Sequence, residues 1–76
     1  MATENEPPPF PARRFVGLGC NFTLKGRELY GTVKNAAYIG RTNRGLIPDY
    51  LLTIQGRSGQ TVEVSLVESH ARFPSL

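Results

Sequence analysis

Four short stretches of the chain alternate between apolar and polar positions, a pattern that predicts half-buried β-strands. They cover residues 19–26, 29–39, 49–55 and 60–67. In strand order, the positions expected to face the core are Cys20, Phe22 and Leu24; Leu29, Gly31 and Val33; Tyr50, Leu52 and Ile54; and Val62, Val64 and Leu66. No stretch repeats with the 3.6-residue period of a helix, so the pattern indicates an all-β chain.

Glycine-containing segments separate these stretches and predict the turns. Residues 25–28 form the first turn, residues 40–48 a long loop, and residues 56–59 the turn of a hairpin between the last two strands. Residues 68–73 suit one turn of tight helix that leads into a short closing strand. About five short antiparallel strands in so small a domain favour a closed barrel, which leaves few strand edges. An open sheet that dimerises is the alternative.

The first twelve residues have no hydrophobic period, and four of them are proline. Proline lacks the donor that a strand ladder needs, so we expect residues 1–12 to form a disordered tail and residues 13–76 to form the barrel domain. Residues 8–13 also match the P-x-x-P-x-R pattern of peptides that SH3 domains bind. Because short proline patterns often arise by chance, we interpret this stretch as a flexible leader.

Composition adds few candidates for chemistry. The chain has one cysteine, Cys20, and one histidine, His70, so an intramolecular disulfide is excluded and no metal-ligand spacing or catalytic set is expected. We expect His70 to be a partly buried turn residue. No apolar run reaches the length of a membrane span, and the acidic, proline-rich start differs from a signal peptide. These features predict a soluble cytoplasmic protein without a cofactor.

The charge is unevenly distributed along the chain. The formal net charge is +3, with nine Lys or Arg and six acidic residues. Two of the acids, Glu4 and Glu6, lie in the tail, so the domain carries nine basic residues against four acids, a net of +5. Between Glu28 and Asp49 there is no acid at all. Such a domain suits an anionic partner, although the excess could equally serve solubility.

The long loop and its neighbours contain the best binding candidates. They are Lys34, Tyr38, Arg41, Thr42, Asn43 and Arg44, with Arg57 in the hairpin turn as a further phosphate contact. Arginine offers a planar fork for phosphate, and an aromatic ring beside basic residues is what single-stranded nucleic acid uses for stacking. We expect Tyr30 and Tyr38 to face outward.

Some apolar residues do not fit within one small core. They are Leu46, Ile47, Leu51 and Val67. A contiguous exposed patch of this kind would mark an oligomer or partner interface, whereas Leu46 and Ile47 could instead cover the open end of the barrel.

The strand order, the long loop and the helical turn before the last strand resemble the SH3-like barrel. Within it, residues 22–33 (FTLKGRELYGTV) resemble the opening motif of Sm-like RNA-binding proteins. The family's RNA-loop Asn and its Ile-Arg-Gly segment have no counterpart here. The resemblance therefore implies a fold, and no RNA site is transferred from it.

A longer part of the chain resembles the trimethoprim-insensitive type II dihydrofolate reductases. The shared features are FP at 10–11, GLG at 17–19, Gly31 and Val33, TN at 42–43, PDY at 48–50 and VEVS at 62–65. The resemblance implies an SH3-like barrel that forms a homotetramer around one pore and binds a nicotinamide cofactor and folate. Where that family has Gln and Tyr, this chain has Glu63 and Ser65. An ionised Glu63 cannot donate a hydrogen bond and would repel an anionic cofactor.

The sequence therefore predicts a small non-enzymatic module that binds nucleic acid or another anionic partner through its basic loop. Two alternatives remain at this point. One is a protein-interaction or self-assembly module that uses an exposed apolar face, and the other is a homotetrameric enzyme like the type II reductases.

Overall fold

The computed structural model describes residues 10–42 and 44–74, which form a four-stranded antiparallel sheet. The strands are β1 (Gly19–Leu24), β2 (Arg27–Thr42), β3 (Ile47–Gln55) and β4 (Thr61–Ser65), and they lie in the sheet in chain order. A 3-10 turn over Ala12–Phe15 precedes β1. The prediction of an all-β chain with antiparallel strands is confirmed.

The longest strand, β2, is shared between two hairpins. Its first half pairs with β1 and its second half with β3, and Thr32 is paired on both sides, with Gly19 and with Gln55. At the neighbouring Gly31, an added Cβ would lie 2.6 Å from the backbone oxygen of Gln55 and 2.6 Å from the side chain of Ile54. Glycine at this position lets β2 approach β3 closely where it passes from one partner to the other.

Two irregularities in the pairing of β2 with β3 change which side chains face the core. The register shifts between Val33 and Asn35 and again between Tyr38 and Gly40. Because strand side chains alternate with a period of two, one extra residue reverses the faces beyond it. Tyr38 is consequently half-buried, with its ring centroid 5.3 Å from that of Tyr50. The expectation that Tyr38 faces outward is wrong for this reason, whereas Tyr30, ahead of the shift, is exposed as expected.

The core forms on the inward face of the sheet. Its buried members are Phe15, Cys20, Phe22, Val33, Tyr50, Leu52, Ile54 and Val64. The inward positions predicted for the four strands all belong to this cluster or pack against it, except Gly31, which is buried without a side chain. Phe15 was not among them, because it precedes the first strand. Fully burying one such large apolar side chain is worth about 1.5–3 kcal/mol.

The connection between β2 and β3 is shorter than the predicted loop over residues 40–48. Arg41 pairs with Pro48 and Thr42 pairs with Ile47, so these four residues belong to strands. Residues 44–46 form a turn outside the strands, and the amide of Leu46 donates to the carbonyl oxygen of Thr42 at 3.1 Å. The polar and glycine-rich composition of this stretch predicted a loop. Strand pairing here depends on contacts between β2 and β3, which local composition does not indicate.

The C-terminal segment differs in detail from the predicted helical turn and closing strand. Hydrogen-bonded turns follow β4, and a single antiparallel bridge joins Arg72 to Asn21 on β1, with N–O distances of 2.9 and 2.8 Å. The expected fifth strand is thus reduced to one bridge. His70 is exposed with a positive φ of 53°, so the prediction of a partly buried histidine is wrong.

The N-terminal end of the described chain packs on the core before residue 13. The hydroxyl of Tyr50 donates to the carbonyl oxygen of Phe10 at 2.6 Å and accepts from the Phe10 amide at 3.0 Å. The ring of Phe10 also lies 4.9 Å from that of Phe15. Residues 10–12 of the predicted tail therefore contact the domain, while the prediction for residues 1–9 falls outside the described residues.

Candidate functional site

Three basic side chains lie along the exposed surface of the β2–β3 hairpin, the arm that residues 32–42 and 44–55 form. Lys34 is the extra residue at the first register shift, Arg41 is on the last part of β2, and Arg44 is in the connecting turn with a positive φ of 62°. All three are exposed. Thr42 beside them is half-buried, and Asn43 lies outside the described residues. Arg41 and Arg44 thus lie near the β2–β3 turn, where only these two strands pair, whereas Lys34 lies opposite residues of β3 that also pair with β4.

The only acidic residue on this hairpin, Asp49, is buried and fully engaged by hydrogen bonds. Its carboxylate accepts from the Tyr50 amide at 2.8 Å, from the Ser65 hydroxyl at 2.6 Å and from the Val67 amide at 3.0 Å. These bonds attach the end of β4 to β3. Among residues 32–42 and 44–55, where β2 and β3 pair, the hairpin therefore carries exposed cations without an exposed carboxylate. The exposed Glu28 lies on the first part of β2, which pairs with β1.

The aromatic part of the predicted site is less accessible than expected. Because Tyr38 packs on Tyr50, only part of its ring is open to solvent. Tyr30 is half exposed but lies on the first half of β2, where its phenol contacts the position that a side chain on Gly19 would occupy. The structure thus separates the freely accessible tyrosine from the hairpin cations.

Arg57 is also far from Arg41 and Arg44. It is in the turn between β3 and β4, whereas Arg44 is in the turn at the opposite end of β3. Strands rise about 3.3 Å per residue, so the length of β3 places these two turns roughly 25 Å apart. The structure thus separates Arg57 from the arginines near the β2–β3 turn, whereas Lys34 lies opposite Thr53 and Ile54, nearer the Arg57 end of β3.

Two further arginines, at the start of the predicted domain, lie on an element that packs against β2. Arg13 and Arg14 are exposed on the 3-10 turn, which packs against β2. The following residues are attached to β2, since the Gly17 amide donates to the Val33 oxygen at 2.8 Å. The sequence shows the basic pair before Phe15, but it does not predict where the pair lies. Its position depends on a short 3-10 turn, which has no hydrophobic periodicity by which it could be recognised.

Val62 to Ser65, the segment that the sequence suggested as the counterpart of the type II reductase site, lies in β4. Glu63 is exposed on the outward face, and the Ser65 hydroxyl donates to Asp49 and accepts from the Glu68 amide at 3.0 Å. Ser65 is thus held by contacts that stabilise the fold.

Ionic partners and titratable groups add little to these candidates. Within the described ranges, the only ion pair joins Arg72 to Glu28, and both side chains are largely exposed.

The same ranges contain no group of three or more potential metal-binding side chains, and none of their helical segments could reach across a bilayer. Burial raises the pKa of the Cys20 thiol, and a backbone hydrogen bond with Arg72 partly opposes this shift.

The chain matches no protein-family model, no curated protein and no solved structure. Its function has to be inferred from the surface described above.

Proposed function

We propose that this protein is a small non-enzymatic module that binds single-stranded nucleic acid along its β2–β3 hairpin. One observation carries the proposal: Lys34, Arg41 and Arg44 are exposed on a hairpin whose single carboxylate, Asp49, is buried and hydrogen-bonded. The local potential is therefore positive, and a polyanion meets no repelling surface carboxylate on this arm.

Each cation has a defined role in this proposal. The guanidinium forks of Arg41 and Arg44 bind phosphate oxygens in pairs, and Lys34 acts as a point charge further along β2. Arg13 and Arg14 extend the basic surface, because their turn packs against the same strand. The exposed part of Tyr38 offers a base a stacking surface, and full stacking is worth roughly 1–3 kcal/mol.

We also propose that the curved sheet is an SH3-like barrel. Three features support this. The bent strand β2 is shared by two hairpins, the Arg72 bridge occupies the free edge of β1, and the Thr23 amide donates to the Ser69 oxygen at 2.8 Å beside that bridge. The resemblance of the sequence to Sm-like proteins and to type II reductases, which implies the same barrel, stays a prediction.

The test is fluorescence anisotropy of a labelled single-stranded oligonucleotide over a range of salt concentrations. For single strands, the logarithm of affinity falls against the logarithm of salt with a slope of about 0.7 per neutralised phosphate. We expect the double substitution Arg41→Gln/Arg44→Gln to weaken binding and to reduce that slope by about 1.4.

The matched control is Lys25→Gln/Arg27→Gln, which removes two exposed cations from the β1–β2 turn and its edge. This control changes net charge equally, but its residues lie where β1 and β2 pair and not where β2 pairs with β3, so its slope should change much less. Binding without salt dependence, or equal losses in the two double variants, would contradict the proposal.

A second candidate, self-assembly, is favoured by a separate observation on the same arm. Ile39, Leu46 and Ile47 are 52 %, 72 % and 39 % exposed and lie in the part of the hairpin nearest its turn. Exposed apolar side chains that occur together are typical of an interface between subunits or with another protein. Nucleic-acid binding comes first because the cations are spread along the whole arm.

A further inference from the structure

A cleft opens where β2 separates from β3. Before Thr32, the first half of β2 pairs only with β1. On the other side, the chain leaves β3 and turns through residues 56–60 into β4. The gap between Glu28–Tyr30 and this turn has a volume of about 440 Å³. Volumes of about 300–1,000 Å³ are typical of sites that bind small molecules.

The walls of the cleft are apolar inside and polar at the rim. Phe22, Leu29 and Val62 supply the apolar part, and they belong to or pack against the core. Tyr30 and Arg57 are exposed residues that line the same cleft. A ligand would therefore find an apolar surface next to an aromatic ring and a guanidinium group.

The charge at this rim is positive, although one carboxylate is present. Glu28 lines the cleft, but its carboxylate is paired with Arg72. Arg57 forms no ion pair with any residue the structure describes. Since an arginine fork binds a carboxylate through two hydrogen bonds, the unpaired charge favours an anionic ligand group.

The turn that carries Arg57 is braced by its own hydrogen bonds. The Gly56 amide donates to the Gln60 oxygen at 2.9 Å, and the Gly59 amide donates to the Gly56 oxygen at 3.1 Å. The side-chain amide of Gln55 also donates to the Gly59 oxygen at 3.1 Å. A backbone fixed in this way loses little freedom when the side chain of Arg57 contacts a ligand.

We propose that this cleft binds a small amphipathic anion. An aromatic or branched aliphatic body occupies the surface of Phe22, Leu29 and Val62, and a carboxylate contacts Arg57. The site is independent of the hairpin cations, so its test is separate from the test of nucleic-acid binding. It also gives Arg57 a role that its distance from Arg44 does not allow in the hairpin cluster.

Three probes with one ring system and different charges test the proposal: indole-3-acetate, neutral indole-3-acetamide and cationic tryptamine. Each is titrated into the ¹⁵N-labelled protein, and amide chemical shifts are followed by NMR. We expect shifts concentrated at residues 28–30 and 56–62. The anion should bind about tenfold more tightly than the neutral amide, because one charge-assisted hydrogen bond to Arg57 contributes about that factor in affinity. The cationic tryptamine should bind most weakly.

Two substitutions assign the preference to one side chain. Arg57→Gln should remove the difference between the anion and the amide while leaving the amide's affinity nearly unchanged, and Arg57→Lys should retain part of that difference. Lys25→Gln is the matched control, because it removes an exposed cation that does not line this cleft.

Three results would overturn the proposal. They are the absence of shifts at millimolar probe, equal affinities for the three probes, and a preference for the anion that survives Arg57→Gln. Because Arg57 is exposed in a turn, Arg57→Gln should leave the unfolding midpoint unchanged.

Discussion

At the scale of single residues, Cys20 illustrates how burial changes chemistry. Its side chain is fully enclosed, and its thiol is placed to donate weakly to the Asn21 oxygen at 3.7 Å. Burial disfavours the thiolate and raises the pKa above the ordinary value of 9.0, against the smaller opposing effect of the Arg72 backbone. The folded state therefore keeps this proton to a higher pH than the unfolded chain does.

This shift predicts a loss of stability in alkali. Well below pH 9.0 the thiol is protonated in both states, and its titration contributes no pH dependence there. As the pH rises above that value, the unfolded chain ionises first, so the free energy of unfolding falls. Urea unfolding between pH 7 and 11 measures the decline. Cys20→Ala should show a shallower decline over the same interval, and identical slopes would assign the effect to other groups.

At the scale of elements, the shape of β2 depends on its close approach to β3 at Gly31. The strand passes from one hairpin to the other there, and an added Cβ would meet the backbone of Gln55. A backbone oxygen cannot move aside as a flexible side chain can, so the strands themselves would have to separate.

We therefore expect Gly31→Ala to destabilise the fold by about 1–3 kcal/mol, the usual range for overpacking. The matched control is Gly56→Ala, where the nearest atom to an added Cβ is 4.0 Å away. That variant should stay within roughly 0.5 kcal/mol of the parent. Chemical denaturation of both variants measures the difference, and equal midpoints would refute the packing argument.

At the scale of the whole molecule, both ends of the described chain close over one core. The ring of Phe15 lies 5.2 Å from that of Phe73, and the bridge between Asn21 and Arg72 attaches the C-terminal segment to β1. The hairpin arm carries three of the exposed large apolar side chains, Ile39, Leu46 and Ile47. A domain of this size gains stability when such surface is buried against a second copy.

Self-association through the arm predicts a solution mass above the 8.4 kDa of one chain, rising with protein concentration. Light scattering after size-exclusion chromatography provides the measurement. Leu46→Ser should lower the mass, because Leu46 is the most exposed large apolar residue of the described chain. Val16→Ser is the control, since Val16 is exposed but lies before β1. A mass of 8.4 kDa at every concentration would contradict assembly.

Much of the fold was predictable because strand periodicity is a local property. The alternation around Phe22, Leu52 and Val64 is sufficient to identify the inward face of β1, β3 and β4. The orientation of Tyr38 was not predictable, because the register shift ahead of it depends on pairing with β3. The extension of β2 and β3 through Arg41 and Pro48 was not predictable for the same reason, because it too depends on pairing between the two strands.

For the candidate site, the sequence by itself determined which residues carry charge and that Lys34, Arg41 and Arg44 belong to one segment without an acid. Only the tertiary structure decided that Asp49 is buried and that Arg57 lies beside the cleft instead of beside Arg44. The physical reason is the distance along the chain over which each property is set. Alternation and charge are properties of neighbouring residues, whereas bulges, strand pairing and clefts arise from contacts between residues that are distant in the chain.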